Sequence, residues 1–212
     1  MNAIITFFCI CFSSFAFAQQ EQPDLITKDT TQKTWSFSLW TGYSIYHNQE
    51  NNLLPIFYAD HHKLHIEARY NYEAKNTASV FAGYKLTAGN ALLFNATPMI
   101  GFVFGKTNGI APGLETALSY KKFDLYTESE YVLDFADNSN NFLYTYTELA
   151  YTLNKFRGGL TTQRSRLYET DLDIQRGLFA TYKFGKFIPG IKGYNFFSDN
   201  FYFSIQCMVV LQ

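Results

Sequence analysis

Charge is scarce in this 212-residue chain. Only 17% of its residues are Asp, Glu, Lys or Arg, against about 25% in an average soluble domain. The 17 basic and 18 acidic residues leave a net charge of -1, so there is no basic surplus of the kind that binds nucleic acid. Long apolar runs are also missing. The uncharged stretch after Lys85 is broken by Gly89, Asn90, Asn95 and Pro98, which excludes a membrane-spanning helix of about 20 apolar residues. Cysteine is rarer still. Of three, Cys9 and Cys11 lie in an apolar leader, so Cys207 is left alone in an exported chain. Such a chain has no internal disulfide and must be held by backbone pairing and packing. Aromatics are abundant, at 22 Phe and 16 Tyr, too many for a disordered polymer.

The leader reads as a secretory signal over residues 1–18. Ile4 to Phe12 is an apolar core, and Ala16-Phe17-Ala18 before Gln19 supplies the small-residue cleavage pattern, although Met1-Asn2-Ala3 carries no Lys or Arg. Residues 19–33 are polar and aperiodic, a flexible lead-in. Residues 34–212 form one domain.

That domain alternates. Leu64, Ile66, Ala68, Tyr70 and Tyr72 oppose His65, Glu67, Arg69, Asn71 and Glu73, and Leu125, Thr127, Ser129 and Tyr131 oppose Asp124, Tyr126, Glu128 and Glu130. A period of two is the strand signature, and helical stripes are absent from these segments. Turn residues at 121–122, 137–141, 154–155 and 185–186 cut the alternation into strands of about 9 to 13 residues, long enough to cross a bilayer at a tilt. The expectation is twelve strands, or ten if the weaker segments 52–60 and 187–196 drop out. Two of the others are placed at 63–74 and 156–168.

The charges decide which face is inside. All five arginines (Arg69, Arg157, Arg164, Arg166 and Arg176) fall within expected strands, as do Glu67, Glu73, Glu115, Glu128, Glu130 and Glu148. Lys63, Lys75, Lys106, Lys121, Lys122, Lys155 and Lys186 sit at turns or strand ends. A carboxylate facing hydrocarbon costs several kcal/mol, whereas Arg pairs with carboxylates in desolvated places. The reading is a closed antiparallel barrel with apolar residues facing lipid and a lumen lined by these eleven Glu and Arg residues. Arg164 and Arg166 share parity with Leu160, so an inward position for them requires a bulge. A soluble ligand-binding barrel with the apolar face inward is the alternative architecture.

The chain resembles bacterial outer-membrane β-barrel proteins. Leu64 to Glu73, Ala111-Pro112-Gly113-Leu114-Glu115, Glu130 to Asp134 and Ile174-Gln175-Arg176-Gly177 resemble signature segments of an uncharacterised family of small exported barrels. The resemblance covers about residues 34–212 and brings no assigned activity. It implies an outer-membrane location, with membrane lipid and the barrel-assembly machinery as partners, and leaves the solute unnamed. The Val209-Val210-Leu211-Gln212 ending departs from the aromatic last residue typical of the class.

For function, the Glu and Arg residues suit a narrow pore, a small-solute binding barrel or a purely structural ion network. A lipid-modifying hydrolase is the enzymatic alternative, but all four histidines lie between positions 47 and 65 and no G-x-S-x-G is present. His61, His62 and His65 offer imidazoles. Adjacent His61 and His62 point apart in a strand, and no linear spacing completes a metal pattern. Neither metal nor cofactor is expected.

Overall fold

The computed structural model describes residues 34–47, 49–166 and 173–211; the leader and lead-in lie outside them. Thirteen strand segments follow in order: β1 (Ser36–Tyr46), β2 (Asn52–His61), β3 (Leu64–Tyr70), β4 (Thr77–Tyr84), β5 (Leu86–Gly89), β6 (Leu92–Gly105), β7 (Gly109–Tyr120), β8 (Phe123–Asp134), β9 (Phe142–Leu153), β10 (Phe156–Arg164), β11 (Gln175–Tyr182), β12 (Phe187–Tyr194) and β13 (Tyr202–Val210). Each pairs antiparallel with its neighbours, β1 pairs with β13, and β4 pairs with β6, so the sheet closes on itself. Segments β4 and β5 both pair with β6 in one unbroken register, Gly83 opposite Met99 and Leu86 opposite Ala96. The gap between them faces Pro98, which has no N–H to give. They are one strand, and the barrel has twelve, including both of the weaker segments.

The ends of the barrel differ. Turns of two residues at 62–63, 121–122 and 154–155 join strands at the end where β1 begins and β13 finishes. His62, Lys121 and Asn154 open them with positive φ (53°, 54° and 56°), the left-handed geometry that tight hairpins need. The opposite end carries longer connections, at 71–76, 135–141, 165–174 and 195–201. Short turns on one side and long loops on the other are the asymmetry of bacterial transmembrane barrels.

Burial follows the inverted rule. Leu39, Val80, Ile100, Leu114, Leu149, Leu160, Leu178, Ile191 and Ile205 are exposed around the outside. Aromatics ring the outer face at both levels: Tyr84, Tyr120, Phe123, Tyr151, Phe156 and Phe187 near the short turns, Tyr70, Phe102, Phe104, Tyr131 and Phe201 near the long loops. Two such girdles flanking an aliphatic band are what a bilayer imposes on a barrel wall. Glu67, Arg69, Glu73 and Glu130 are meanwhile among the most buried side chains, at 3% exposure or less. A soluble barrel with an apolar interior is the reverse of this arrangement.

The outward band makes a direct prediction. Leu149 faces Leu160 across the β9–β10 pair at mid-height. Arginine there should destabilise the barrel by about 2–4 kcal/mol, while arginine at Leu153, close to the short-turn rim, should cost about 0–1 kcal/mol. Urea unfolding of the two variants in lipid vesicles measures the difference; equal costs would remove the band from the bilayer midplane.

Candidate functional site: the charged lumen

Two ion clusters occupy the interior. The larger is built on β3, whose alternate residues His65, Glu67 and Arg69 all point inward. The Arg69 guanidinium reaches across the barrel from β3 to β8. Its Nη1 lies 2.5 Å from Glu130 Oε1, 2.8 Å from Glu128 Oε1 and 3.3 Å from Glu73 Oε1, and its Nε donates to Glu67 Oε2 at 2.5 Å. Its Cζ lies over the Phe81 ring, 4.3 Å from the centroid, and over the Tyr72 ring, 4.8 Å away. Phe81 has room because Gly101 is directly opposite on β6: a Cβ on Gly101 would fall 2.4 Å from the ring. One guanidinium is thus shared by four carboxylates. Glu73 Oε2 and Glu130 Oε2, both buried, have no hydrogen-bond partner.

The cluster continues toward the short-turn end. His65 Nδ1 lies 2.6 Å from Asp60 Oδ1, and its Nε2 lies 2.6 Å from Glu67 Oε1 and 3.7 Å from Glu115 Oε2. Lys85 Nζ pairs with Asp60 at 2.6 Å. Tyr126 donates to Glu115 Oε1 at 2.5 Å, and Tyr72 donates to Glu128 Oε2 at 2.8 Å. Six carboxylates (Asp60, Glu67, Glu73, Glu115, Glu128 and Glu130) gather here around Arg69, Lys85 and His65.

The smaller cluster is balanced. Arg157 on β10 pairs with Asp124 on β8 at 2.5 Å and with Glu148 on β9 at 2.6 Å, and Lys192 on β12 pairs with Glu148 at 3.0 Å. Two cations meet two anions. Arg157 also sits 4.8 Å over the Phe179 ring, and Lys192 faces Trp40 and Tyr146.

Residues 71–74 and 165–166 narrow the mouth at the long-loop end. Expected strand 63–74 stops at Tyr70, because Asn71 takes φ 55° and its N–H closes onto Thr77 O at 2.8 Å. Its side chain is held by Asn52 Oδ1 and Leu53 O, and it accepts from Asn76 N–H at 2.7 Å. Residues 71–74 therefore turn into the barrel, where half-buried Tyr72 packs against apolar clusters on both walls, including Tyr144 and Tyr202. Expected strand 156–168 stops at Arg164 for a related reason. Ser165 Oγ donates to Tyr72 O and Glu73 O, and the Arg166 N–H donates to Glu73 O at 3.2 Å. The two segments thus meet over the lumen.

Of the eleven charges read from the sequence, Glu67, Arg69, Glu73, Glu115, Glu128, Glu130, Glu148 and Arg157 face the interior and join these clusters. Three do not. Strand β10 keeps one register with β9 throughout and contains no bulge, so Arg164 stays on the outward face with Leu160 and donates to the carbonyl of Leu143 at the rim. Arg166 lies in the crossing segment, inside the mouth, 4.7 Å over the ring of buried Phe142, and Arg176 is exposed at the mouth. Near a membrane edge a long Arg side chain reaches water without turning inward. Sequence reasoning missed His65, Asp60, Asp124, Tyr126 and Lys192 as members of the clusters. The parity of His65 with Glu67, and of Asp124 with Glu128, was the available signal.

No family model matches the chain, and neither does any curated protein. Among solved structures the KdgM porin has the same fold. Its complex with disordered oligogalacturonate superposes with a TM-score of 0.55 at 15% identity. A second KdgM structure gives 0.55 at 14%. In both, the match covers 82% of this chain and 99% of the porin. The outer membrane protein Omp33 of Acinetobacter baumannii matches with a TM-score of 0.49 at 12% identity, over 85% of this chain and 100% of that one. The likeness is one of fold, a closed antiparallel β-barrel.

Proposed function

We propose that this outer-membrane barrel is a narrow pore for small neutral or cationic solutes, with a lumen that favours cations. The observation that carries the reading is the excess of buried carboxylate around Arg69, while the second cluster, in which Arg157 and Lys192 meet Asp124 and Glu148, is balanced in charge. A low-dielectric wall of one sign focuses its field into the passage and enriches counter-ions there. Oligogalacturonate, the ligand in the KdgM structure, carries a carboxylate on every sugar, and the acidic wall disfavours such a polyanion. The porin fold therefore serves a different solute class here. As for the hydrolase alternative, His65 Nε2 faces Glu67 rather than a serine hydroxyl.

Planar-bilayer recording under a salt gradient tests the reading. The reversal potential should report a preference for potassium over chloride, and Glu128→Gln with Glu130→Gln should weaken that preference. Chloride preference in the unaltered protein, or a preference indifferent to both substitutions, would overturn it.

A further inference from the structure

We propose that His65, Glu67 and Glu115 form a binding site for a divalent transition-metal cation, Zn2+ or a close congener, set into the lumen wall. The proposal goes beyond solute passage and does not depend on it. One ligand atom from each residue converges: His65 Nε2, Glu67 Oε1 and Glu115 Oε2, all within 4.8 Å of one another. They come from β3 and β7, separated around the barrel by β4 and β6, so the meeting is tertiary and invisible to linear spacing.

The atom of each side chain that does not converge is held from outside the trio. Asp60 takes His65 Nδ1, Arg69 takes Glu67 Oε2, and Tyr126 takes Glu115 Oε1. This is the support that metal ligands need: a carboxylate on the far histidine nitrogen fixes the tautomer, and donors on the far carboxylate oxygens fix their direction. With Nδ1–H directed at Asp60, Nε2 presents a lone pair to two carboxylate oxygens, and a cation between them satisfies all three. Bonds of about 2.0–2.1 Å to a tetrahedral Zn2+ separate neighbouring ligand atoms by roughly 3.3 Å. That lies between the 2.6 Å and 3.7 Å that separate Nε2 from its two partners, and the two carboxylate oxygens, within 4.8 Å of each other, would draw in on the same cation. Imidazole with two carboxylates is a donor set for zinc and its first-row neighbours.

A second observation points the same way. The surrounding wall is short of positive charge, and the Glu73 and Glu130 oxygens that lack a partner lie in side chains of 0% and 1% exposure. A divalent cation supplies the missing charge. Glu115, the least buried of the trio, leaves a fourth position open to water from the lumen.

The test uses the full barrel, purified in detergent and stripped with chelator, with heat-modifiable gel migration confirming that each variant is folded. Equilibrium dialysis should find one Zn2+ per chain, and Co2+ should give the intense visible spectrum of a tetrahedral protein site. Glu115→Gln and His65→Gln should abolish both. Asp60→Asn, which removes only the support, should weaken binding about 10–100-fold. Joint replacement of the turn residues His61 and His62 by alanine, and of exposed Glu50 by glutamine, should leave binding unchanged. No binding by the unaltered chain, equal binding by Glu115→Gln, or loss of binding with His61 and His62 would each overturn the site. Dialysis reads binding without conduction, so failure here is distinguishable from failure of the pore.

Discussion

Replacing Arg69 by methionine is expected to destabilise the barrel by about 3–5 kcal/mol, the cost of leaving a buried ionic partner uncompensated. The reason lies in the stoichiometry of the cluster. Glu67, Glu73, Glu128 and Glu130 all lean on the one guanidinium, and among the described residues no other arginine side chain forms an ion pair with them. Methionine keeps most of the packing against Phe81 and Tyr72, so the loss reads electrostatics rather than a cavity. Adding Glu130→Gln to Arg69→Met should recover part of the loss, since one fewer charge is stranded; this non-additivity is the sign of direct contact. Urea unfolding in lipid vesicles of the unaltered protein, both single variants and the double variant measures it. Full stability in the single variant would show that the carboxylates do not depend on Arg69.

Tyr72→Ala should produce the largest functional change. Tyr72 is the side chain by which the in-turned 71–74 segment touches both walls of the lumen, through Tyr144 on one side and the Tyr194–Tyr202 pair on the other. Removing its ring opens space at the mouth and frees Glu128 Oε2 of its phenol donor. Single-channel conductance should rise severalfold, and preference for cations should persist because the carboxylates remain. The same truncation should cost about 3 kcal/mol in stability, the lower range for loss of a large packed ring. An unchanged conductance would move the constriction elsewhere in the lumen.

The wall of this barrel was legible from a period of two, because a bilayer on one face and a charged interior on the other write an alternation into each strand. Segments β8 and β9 fall at 123–134 and 142–153 as the pattern places them. Legibility failed where alternation continued past the point at which the chain left the wall. Tyr72 and Glu73 keep the parity of Leu64 to Arg69, yet Asn71 has already turned the chain inward; a left-handed asparagine inside a hydrophobic alternation is not distinguishable from a strand residue by pattern. Arg164 misled in the opposite sense. Its charge argued for the lumen, but at a strand end the membrane rim serves a guanidinium equally well. The clusters themselves were half visible. Parity placed Glu67, Arg69, Glu128 and Glu130 on inner faces, but the chord from β3 to β8 depends on closure of the whole ring. The meeting of His65 with Glu115 depends on the register of three strand pairs.

Everything rests on which face meets lipid, and the two tryptophans report on it directly. Trp35 is exposed on the outside at the short-turn girdle, stacked against Phe37 and His61, whereas Trp40 is turned to the lumen over Lys192. Fluorescence of the single-tryptophan proteins W40F and W35F is to be compared in bilayers of brominated lipid. The inverted barrel predicts strong quenching of Trp35 and protection of Trp40. Quenching of Trp40 as strong as that of Trp35 would place lipid against the charged face and contradict the account.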